Sequence, residues 1–256
     1  MRAWLFSLTL FLALPAVADS NPPAEGFDFA GSDSLAIALA DSIMEAMGGR
    51  AAWDQTRYLS WHFFGRRQHW WDRHTGDVRI EGEDGEGDAK LSYVLLANVE
   101  RKSGRVFLNG EELTNVTERD TWVQRAYETW VNDSYWVFMP YKLKDSGVTL
   151  SYRGKRSQPD YGEVEVLGLR FANVGVTPEN RYEVFVDPTS HLVCGWSYFA
   201  RASDSEPQFT MPWKNWVRVG RILLAADHGR EADWQLRAYD SLPESVFRSP
   251  EPVGTD

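Results

Sequence analysis

The chain has very little cysteine and fewer basic than acidic residues. It has one cysteine, Cys194, in 256 residues, so no intrachain disulfide can form and the core must hold the fold together. We expect Cys194 to be a small buried side chain in a strand, because no catalytic partner lies near it in sequence. Lysine and arginine total 27 against 37 acids, for a formal net charge of −10. This charge argues against binding to nucleic acid or to anionic lipid headgroups, since both attract basic proteins.

Long apolar runs are absent outside the N-terminus. There, Arg2 precedes the apolar run Ala3–Leu14, and Ala16-Val17-Ala18 follows. This order is typical of a secretory signal peptide, which we predict over residues 1–18. The run is too short to span a bilayer, and we expect no transmembrane segment elsewhere. No cysteine follows the predicted cleavage site, so the sequence predicts an exported protein, periplasmic or secreted and soluble after cleavage.

The rest of the chain has the composition of one domain. Residues 19–32 (DSNPPAEGFDFAGS) combine proline, glycine and acids, which is typical of a flexible leader. No linker or internal repeat interrupts residues 33–256, and we predict a single domain over that range.

Aromatic side chains are abundant, with 12 tryptophans, 13 phenylalanines and 10 tyrosines. Many of them fall between Thr117 and Pro140, where the periodicity predicts a long amphipathic helix with Thr117 as its N-cap. The residues predicted on its apolar face are Val123, Tyr127, Trp130, Val131, Ser134, Val137 and Phe138. Those predicted to face water are Glu118, Arg119, Gln124, Arg125, Glu128, Asn132 and Asp133.

Most other segments have strand composition. A first helix is predicted over Ser34–Met47, ending at Gly48-Gly49. The strands predicted from alternation and turn residues are Arg57–Trp71, Val78–Glu81, Leu91–Leu96, Arg105–Leu108, Gly147–Arg153, Gly162–Phe171, Arg181–Val186, His191–Ala200, Trp213–Leu224 and Trp234–Tyr239. Their short connections predict a continuous antiparallel meander and an α+β fold.

Several motifs in this order resemble one known superfamily. They are Met47-Gly48-Gly49 before Trp53, the run from Trp71 to Arg79 (WDRHTGDVR), the run from Trp136 to Gly147 (WVFMPYKLKDSG), Phe171–Gly175, Tyr182–Pro188 and Trp213–Trp216. With the element order, they resemble the bacterial lipoprotein carriers, the LolA- and LolB-like proteins. The resemblance implies a strongly curved antiparallel sheet, a half-barrel, wrapped around the long aromatic helix and the short N-terminal helix. It also implies a space there for acyl chains.

The leading functional prediction is non-catalytic binding or carriage of a hydrophobic molecule, such as a lipid or acyl chain, between sheet and helix. No cofactor, metal or catalytic residue is predicted. The residues predicted to line the site are Trp61, Phe63, Val123, Tyr127, Trp130, Phe138, Phe185 and Trp196.

Two other classes of function stay open. A hydrolase or metal site could use His62, His69, Asp72 and His74, although strand geometry places His62 and His69 on opposite faces. A structural module could instead present exposed tryptophans to an envelope protein.

Two smaller hypotheses concern charged residues. The acidic stretch from Glu81 to Lys90 could bind calcium, but its spacing differs from an EF-hand and favours a solvated loop. Arg79 and Asp187 could form an ion pair inside the barrel that positions a polar ligand group.

Overall fold

The fold is α+β, with antiparallel sheets. A computed structural model describes residues 19–87, 90–172, 174–230 and 232–254. The predicted signal peptide, 1–18, lies outside the described residues. Within the described ranges the helices are Ser34–Ala46 (α1), Arg50–Gln55 (α2), Val116–Phe138 (α3) and Ser245–Arg248 (α4), with a 3₁₀ turn over Met139–Lys142.

Among the described residues the strands form three hydrogen-bonded sheets, none of them closed, where the sequence predicted one. The first half of the chain contributes Tyr58–Phe63 (β1), Arg67–Asp72 (β2), Asp77–Asp84 (β3), Leu91–Asn98 (β4), Ser103–Leu108 (β5) and Glu111–Glu112 (β6). The second half contributes Val148–Gln158 (β7), Gly162–Phe171 (β8), Arg181–Val186 (β9), Val193–Phe199 (β10), Phe209–Pro212 (β11), Lys214–Val219 (β12), Ile222–Asp227 (β13) and Arg237–Tyr239 (β14).

The largest sheet has seven strands in the order β14-β1-β2-β3-β4-β5-β6, all antiparallel. Alternation along these strands sends one set of side chains to a buried face. Leu59, Trp61, Ile80, Leu95 and Val106 on that face are at most 2% exposed. The strand β14 returns from the C-terminal end to pair with β1, so the sheet is not a simple meander.

The second sheet has five strands in the order β11-β10-β9-β8-β7, and β12 and β13 form a separate hairpin. The helix α3 contacts aromatic side chains of both large sheets. Trp130 lies 5.2 Å from Trp71 of the seven-stranded sheet, and Trp136 lies 5.1 Å from Trp196 of the five-stranded sheet, between ring centroids. The helix therefore has two packing faces.

Several predicted elements are confirmed. The strands Gly162–Phe171 and Arg181–Val186 have the predicted bounds, and α1 begins at Ser34 as predicted. The long helix is also present, but its N-cap is Asn115, whose side chain accepts a hydrogen bond from the Glu118 amide at 3.1 Å. Thr117 is already inside the helix, so the predicted cap was two residues too late.

Two predicted strands are hairpins instead. Arg57–Trp71 divides into β1 and β2 around a tight turn in which Phe64 and Gly65 both have positive φ. Trp213–Leu224 divides into β12 and β13 around Gly220, at φ 60°. Both stretches carry apolar residues on two faces, and this continuity hides the reversal in the sequence.

Residues 19–32, predicted as a flexible leader, are held against the domain. Asn21 is buried, and its side chain donates to Asp41 at 2.7 Å. The Lys144 ammonium binds the Asn21 carbonyl and the Asp41 carboxylate. Further along, the Asp28 amide donates to the Val148 carbonyl at 3.1 Å. The leader thus lies beside the edge strand β7.

The predicted Arg79–Asp187 pair does not form. Arg79 is fully buried and binds Glu81 and the C-terminal segment. Asp187 instead accepts hydrogen bonds from the Ser190 amide and hydroxyl in the turn after β9. Arg79 lies in β3 of the seven-stranded sheet, whereas Asp187 follows β9 of the five-stranded sheet. In the described part of the chain, no helix is long and apolar enough to cross a membrane.

Candidate functional site

A cavity of about 470 Å³ lies between α3 and the five-stranded sheet. Its size falls within the range of roughly 300–1,000 Å³ that is typical of small-molecule pockets. Each strand of that sheet contributes an apolar or aromatic wall residue, and one face of α3 closes the space. The main wall residues are Tyr127, Trp130, Val131, Ser134, Tyr135 and Trp136 from α3, and Val148, Phe171, Tyr182, Trp196, Tyr198 and Phe209 from the strands.

Strand register brings the aromatic wall together. Tyr182 of β9 is directly opposite Tyr198 of β10, so their side chains share a face. Trp196, two residues from Tyr198, points the same way and stacks on Tyr182 with centroids 4.9 Å apart and planes 11° apart. Tyr135 of α3 packs against Tyr182 at 5.5 Å and against Phe171 at 5.9 Å. The cavity therefore has a continuous aromatic lining.

Three hydrogen-bond donors in this lining lack partners. The Tyr135 hydroxyl, the Trp130 indole Nε1 and the Trp196 indole Nε1 are buried, and none is hydrogen-bonded within the described part of the chain. Burial raises the pKa of Tyr135 well above its ordinary value, so its phenol stays neutral and keeps its proton. Burial also raises the pKa of Tyr182. The aromatic wall is therefore apolar and uncharged, and the charged lining residues are Glu128, Lys142 and Asp145.

The mouth of the cavity lies at the protein surface. Glu128, Asn132 and Val176 are exposed lining residues, and the Val176 side chain is 46% exposed although it is apolar. Nearby, the Lys142 ammonium lies 2.5 Å from the Asp145 carboxylate. The lysine is thus paired, and the rim carries no excess positive charge.

Only some of the eight predicted lining residues reach this cavity. Tyr127, Trp130 and Trp196 line it. Trp61, Phe63, Val123 and Phe138 belong to the main hydrophobic core, at 0 to 6% exposure. Their neighbours fill the space around them; Trp61, for example, stacks on His69 with centroids 4.4 Å apart.

Phe185 lies on the opposite face of the five-stranded sheet. It packs with Val164, Val166, Tyr161 and Cys194 in a small separate cluster. Strand alternation explains this, because Phe185 is three residues from Tyr182 and therefore on the other side of β9. Cys194 is half-buried in β10, where burial raises the pKa of its thiol to about 11.

The sequence missed Tyr135, Phe171, Tyr182 and Tyr198 as lining residues. The sequence contains a signal for Tyr182 and Tyr198. Each lies two residues from an apolar residue in a predicted strand and therefore shares a face with it. Choosing the correct face required the pairing of strands with α3, which spacing alone does not give.

A second polar feature is fully buried beneath α3. The Asp133 carboxylate, predicted to face water, is 0% exposed and accepts from Arg67 Nε at 2.7 Å and Nη2 at 3.0 Å. It also lies 2.9 Å from His69 Nε2. Burial alone would raise the pKa of Asp133, but the hydrogen bonds and charges of His69 and Arg67 outweigh it and the pKa falls below its ordinary value. Burial lowers the pKa of His69 despite the carboxylate.

The histidines considered for a hydrolase or metal site are dispersed. His69 binds Asp133, His74 Nε2 lies 3.1 Å from the Asp54 carbonyl, and Asp72 forms a bidentate pair with Arg57. Among the residues that the structure describes, no three His, Cys, Asp or Glu side chains are grouped as they would be around a metal ion.

The acidic stretch considered for calcium is engaged in ion pairs where it is described. Glu83 lies 2.5 Å from the Lys90 ammonium, and Asp84 lies 2.6 Å from Arg125. Residues 88 and 89 lie outside the described residues. Residues 81–84 belong to the strand β3, so the loop predicted from Glu81 begins only after Asp84.

Comparisons with known proteins do not establish a family for this chain. No protein-family model matches the chain, and no curated protein is similar to it. A solved structure of a DUF1329 family protein from Desulfovibrio piger ATCC 29098 is similar, with a TM-score of 0.44 at 12% identity, over 83% of this chain and 96% of that chain. The function of the cavity must therefore be inferred from its own residues.

Proposed function

We propose that this protein is an exported, periplasmic binding protein that holds a hydrophobic molecule, such as a lipid or acyl chain, without catalysing a reaction. The observation that carries the proposal is the aromatic cavity of about 470 Å³ between α3 and the five-stranded sheet. Native interiors are close-packed, and an apolar space of this size is a cost that a bound apolar molecule would offset.

The size of the cavity suits one chain. A methylene group fills about the volume of a water molecule in the liquid, roughly 30 Å³, so the space holds on the order of 15 heavy atoms. Burying about ten methylene groups would gain on the order of 8 kcal/mol before ordering costs. We therefore expect a single acyl chain or a molecule of similar size.

The chemistry of the lining supports binding without catalysis. The described lining residues include no histidine or cysteine, and the Ser134 hydroxyl is directed to the Val131 carbonyl at 3.4 Å. Tyr135 keeps its proton because burial raises its pKa. An activated nucleophile needs an adjacent base. The carboxylates of the lining are Glu128, which is exposed, and Asp145, which is paired with Lys142, and the Ser134 hydroxyl is directed to neither of them.

Filling the cavity tests the proposal. Ser134→Leu adds two heavy atoms at a buried lining position, and we expect it to weaken uptake of a fluorescent fatty acid at least tenfold. Ser42→Leu is the matched control, because Ser42 is also a helical serine directed to a backbone carbonyl, that of Ala38, and lies outside the lining. Circular dichroism verifies that both variants fold.

The native ligand can be sought directly. Native mass spectrometry of protein purified from its own host should find an apolar species that Ser134→Leu lacks. If the wild-type protein carries no such species and takes up no fluorescent fatty acid, the binding proposal is wrong.

Export is tested separately. We expect the protein in the periplasmic fraction, with Asp19 as its first residue by intact mass. Retention in the cytoplasm with residues 1–18 attached would contradict the localisation and leave the binding proposal unaffected.

A further inference from the structure

The cavity carries a group of uncharged polar side chains beside its mouth. Thr177, Asn180, Tyr182 and Tyr198, here called the polar cluster, all line the cavity. Thr177 follows the exposed Val176 and is itself exposed, and both tyrosines are half-buried. Asn180 is buried at 5% exposure directly behind Thr177. A molecule that enters the cavity from its mouth therefore meets these side chains.

Hydrogen bonds hold the polar cluster in place. The Asn180 Nδ2 donates to the Thr177 hydroxyl at 2.6 Å, and the Asn180 backbone amide donates to the Thr177 carbonyl at 3.2 Å. Burial raises the pKa of both Tyr182 and Tyr198, and hydrogen bonding with the Asn180 side chain opposes this rise in each case. Both phenols thus stay neutral at physiological pH, next to a side-chain amide.

Strand pairing brings the two phenols together. Tyr182 and Tyr198 are direct partners across β9 and β10, and their ring centroids lie 5.4 Å apart. A neutral phenol both donates and accepts a hydrogen bond, and so do the Thr177 hydroxyl and the Asn180 amide. Few polar groups in an otherwise apolar pocket usually fix the orientation of the ligand. A ligand group that also donates and accepts, such as a hydroxyl, matches this set.

The charges near the polar cluster disfavour an anionic group. Besides burial, the carboxylates of Glu179 and Asp204 raise the pKa of Tyr198. Lys142, the one basic side chain among the described lining residues, is paired with Asp145 at 2.5 Å. A carboxylate bound here would lose hydration and meet charges of its own sign.

A cationic group is also a poor match. An ammonium only donates hydrogen bonds, so it cannot accept one from the phenols or the amide. Glu179 is exposed, and ion pairs with exposed carboxylates contribute little.

We infer that the ligand is a single-chain amphiphile whose uncharged, hydroxyl-bearing head group is bound by Asn180, Tyr182 and Tyr198, while its chain fills the aromatic part of the cavity. This inference rests on the proposed binding function and names its ligand class. It assigns the polar cluster as the part of the site that determines specificity for the head group.

Four probes with the same chain length test the inference: dodecanol, laurate, dodecylammonium and dodecane, each presented from cyclodextrin at neutral pH. Displacement of a fluorescent apolar probe measures their binding. We expect dodecanol to bind the wild-type protein at least tenfold more tightly than laurate or dodecylammonium does.

Variants locate the head group. Tyr198→Phe and Tyr182→Phe should each weaken dodecanol binding about 3- to 10-fold, the range that one net hydrogen bond carries, and leave dodecane binding unchanged. Tyr161→Phe is the matched control, because Tyr161 packs on the opposite face of the same sheet, and it should change neither. Circular dichroism and urea unfolding verify that the three variants keep the fold.

The outcomes separate the two proposals. If none of the four probes binds, the proposed function fails and the inference fails with it. If dodecane binds but the two variants weaken all probes equally, or weaken none, only the head-group assignment fails. Tighter binding of laurate or dodecylammonium than of dodecanol would overturn the uncharged head group.

Discussion

Asp133 Oδ2 lies 2.9 Å from His69 Nε2, and both side chains are almost completely removed from water, at 0% and 1% exposure. The histidine ring stacks on Trp61 with planes 2° apart, and Arg67 holds both carboxylate oxygens. The network joins α3 to β2. It fixes the helix against the seven-stranded sheet while the opposite side of the helix faces the cavity.

Removing the carboxylate should destabilise the protein strongly. Asp133→Ala leaves His69 and Arg67 without their buried acceptor, and breaking a buried pair on one side costs about 3–5 kcal/mol. Urea unfolding measures the loss. Asp84→Ala is the control, since Asp84 pairs with Arg125 at the surface and should change stability by less than about 1 kcal/mol. If the two variants lose the same free energy of unfolding, the buried network stabilises the protein no more than a surface ion pair does.

Acidification should destabilise the protein below neutral pH through His228. This side chain is 0% exposed between Trp213 and Trp234, and burial lowers its pKa from 6.5 to about 4. Between these pH values the His228 side chain binds a proton in the unfolded chain but not in the folded one. The contribution of His228 to the free energy of unfolding is therefore fully present above about pH 6.5 and is lost as the pH drops towards 4. Over this pH range the free energy of unfolding should fall by on the order of 3 kcal/mol.

The same urea experiment at pH 7 and near pH 4.5 checks this. His228→Leu should lose less stability on acidification than the wild type does. His69, whose pKa burial also lowers, acts in the same direction, and Asp133, whose pKa is lowered by its partners, loses its contribution at still lower pH. Identical pH profiles for the wild type and His228→Leu would contradict the assignment.

Arg79 should anchor the C-terminal segment. All five of its N–H groups are used: one on Glu81, and four on the carbonyls of Val246, Ser249, Pro250 and Glu251 at 2.5 to 3.2 Å. We expect Arg79→Ala to release residues 245–254 to proteolysis and to cost at least about 2 kcal/mol.

Arg79→Lys should rescue this anchor only partly, because an ammonium has three donors and no planar fork. Arg101→Ala, which removes an exposed partner of Asp77, is the control. If hydrogen exchange of the C-terminal amides is the same in Arg79→Ala and in the wild type, Arg79 is not the anchor, and the segment is held by its other contacts, such as the ion pair of Arg248 with Asp77.

The two faces of the five-stranded sheet should respond differently to truncation. Phe185→Ala removes a fully buried ring from the face opposite the cavity and should cost about 3–5 kcal/mol while uptake of a fatty acid stays within twofold. Trp196→Phe, in the cavity wall, should alter uptake instead. Loss of uptake in Phe185→Ala, in a variant that remains folded, would contradict the placement of the site.

Local sequence patterns determined many of the helices and strands. Apolar spacing and end signals gave α1, the long aromatic helix and the strands Gly162–Phe171 and Arg181–Val186, because helix and strand periodicities depend on neighbours a few residues apart. The abundance of aromatic residues predicted either a thick core or an apolar site, and the fold contains both.

Only the tertiary structure decided which aromatic residues line the cavity and which pack elsewhere in the core. Trp61 and Trp196 look alike in sequence and both are buried in the core, yet only Trp196 also lines the cavity, because strand pairing and the position of α3 set the difference. Asp133 follows the polar pattern of a solvent-facing helix position. Its burial is compensated by hydrogen bonds with Arg67 and His69, which lie more than 60 residues earlier in the chain. Periodicity fixes which face of an element a residue occupies, but contacts distant in sequence decide what that face meets.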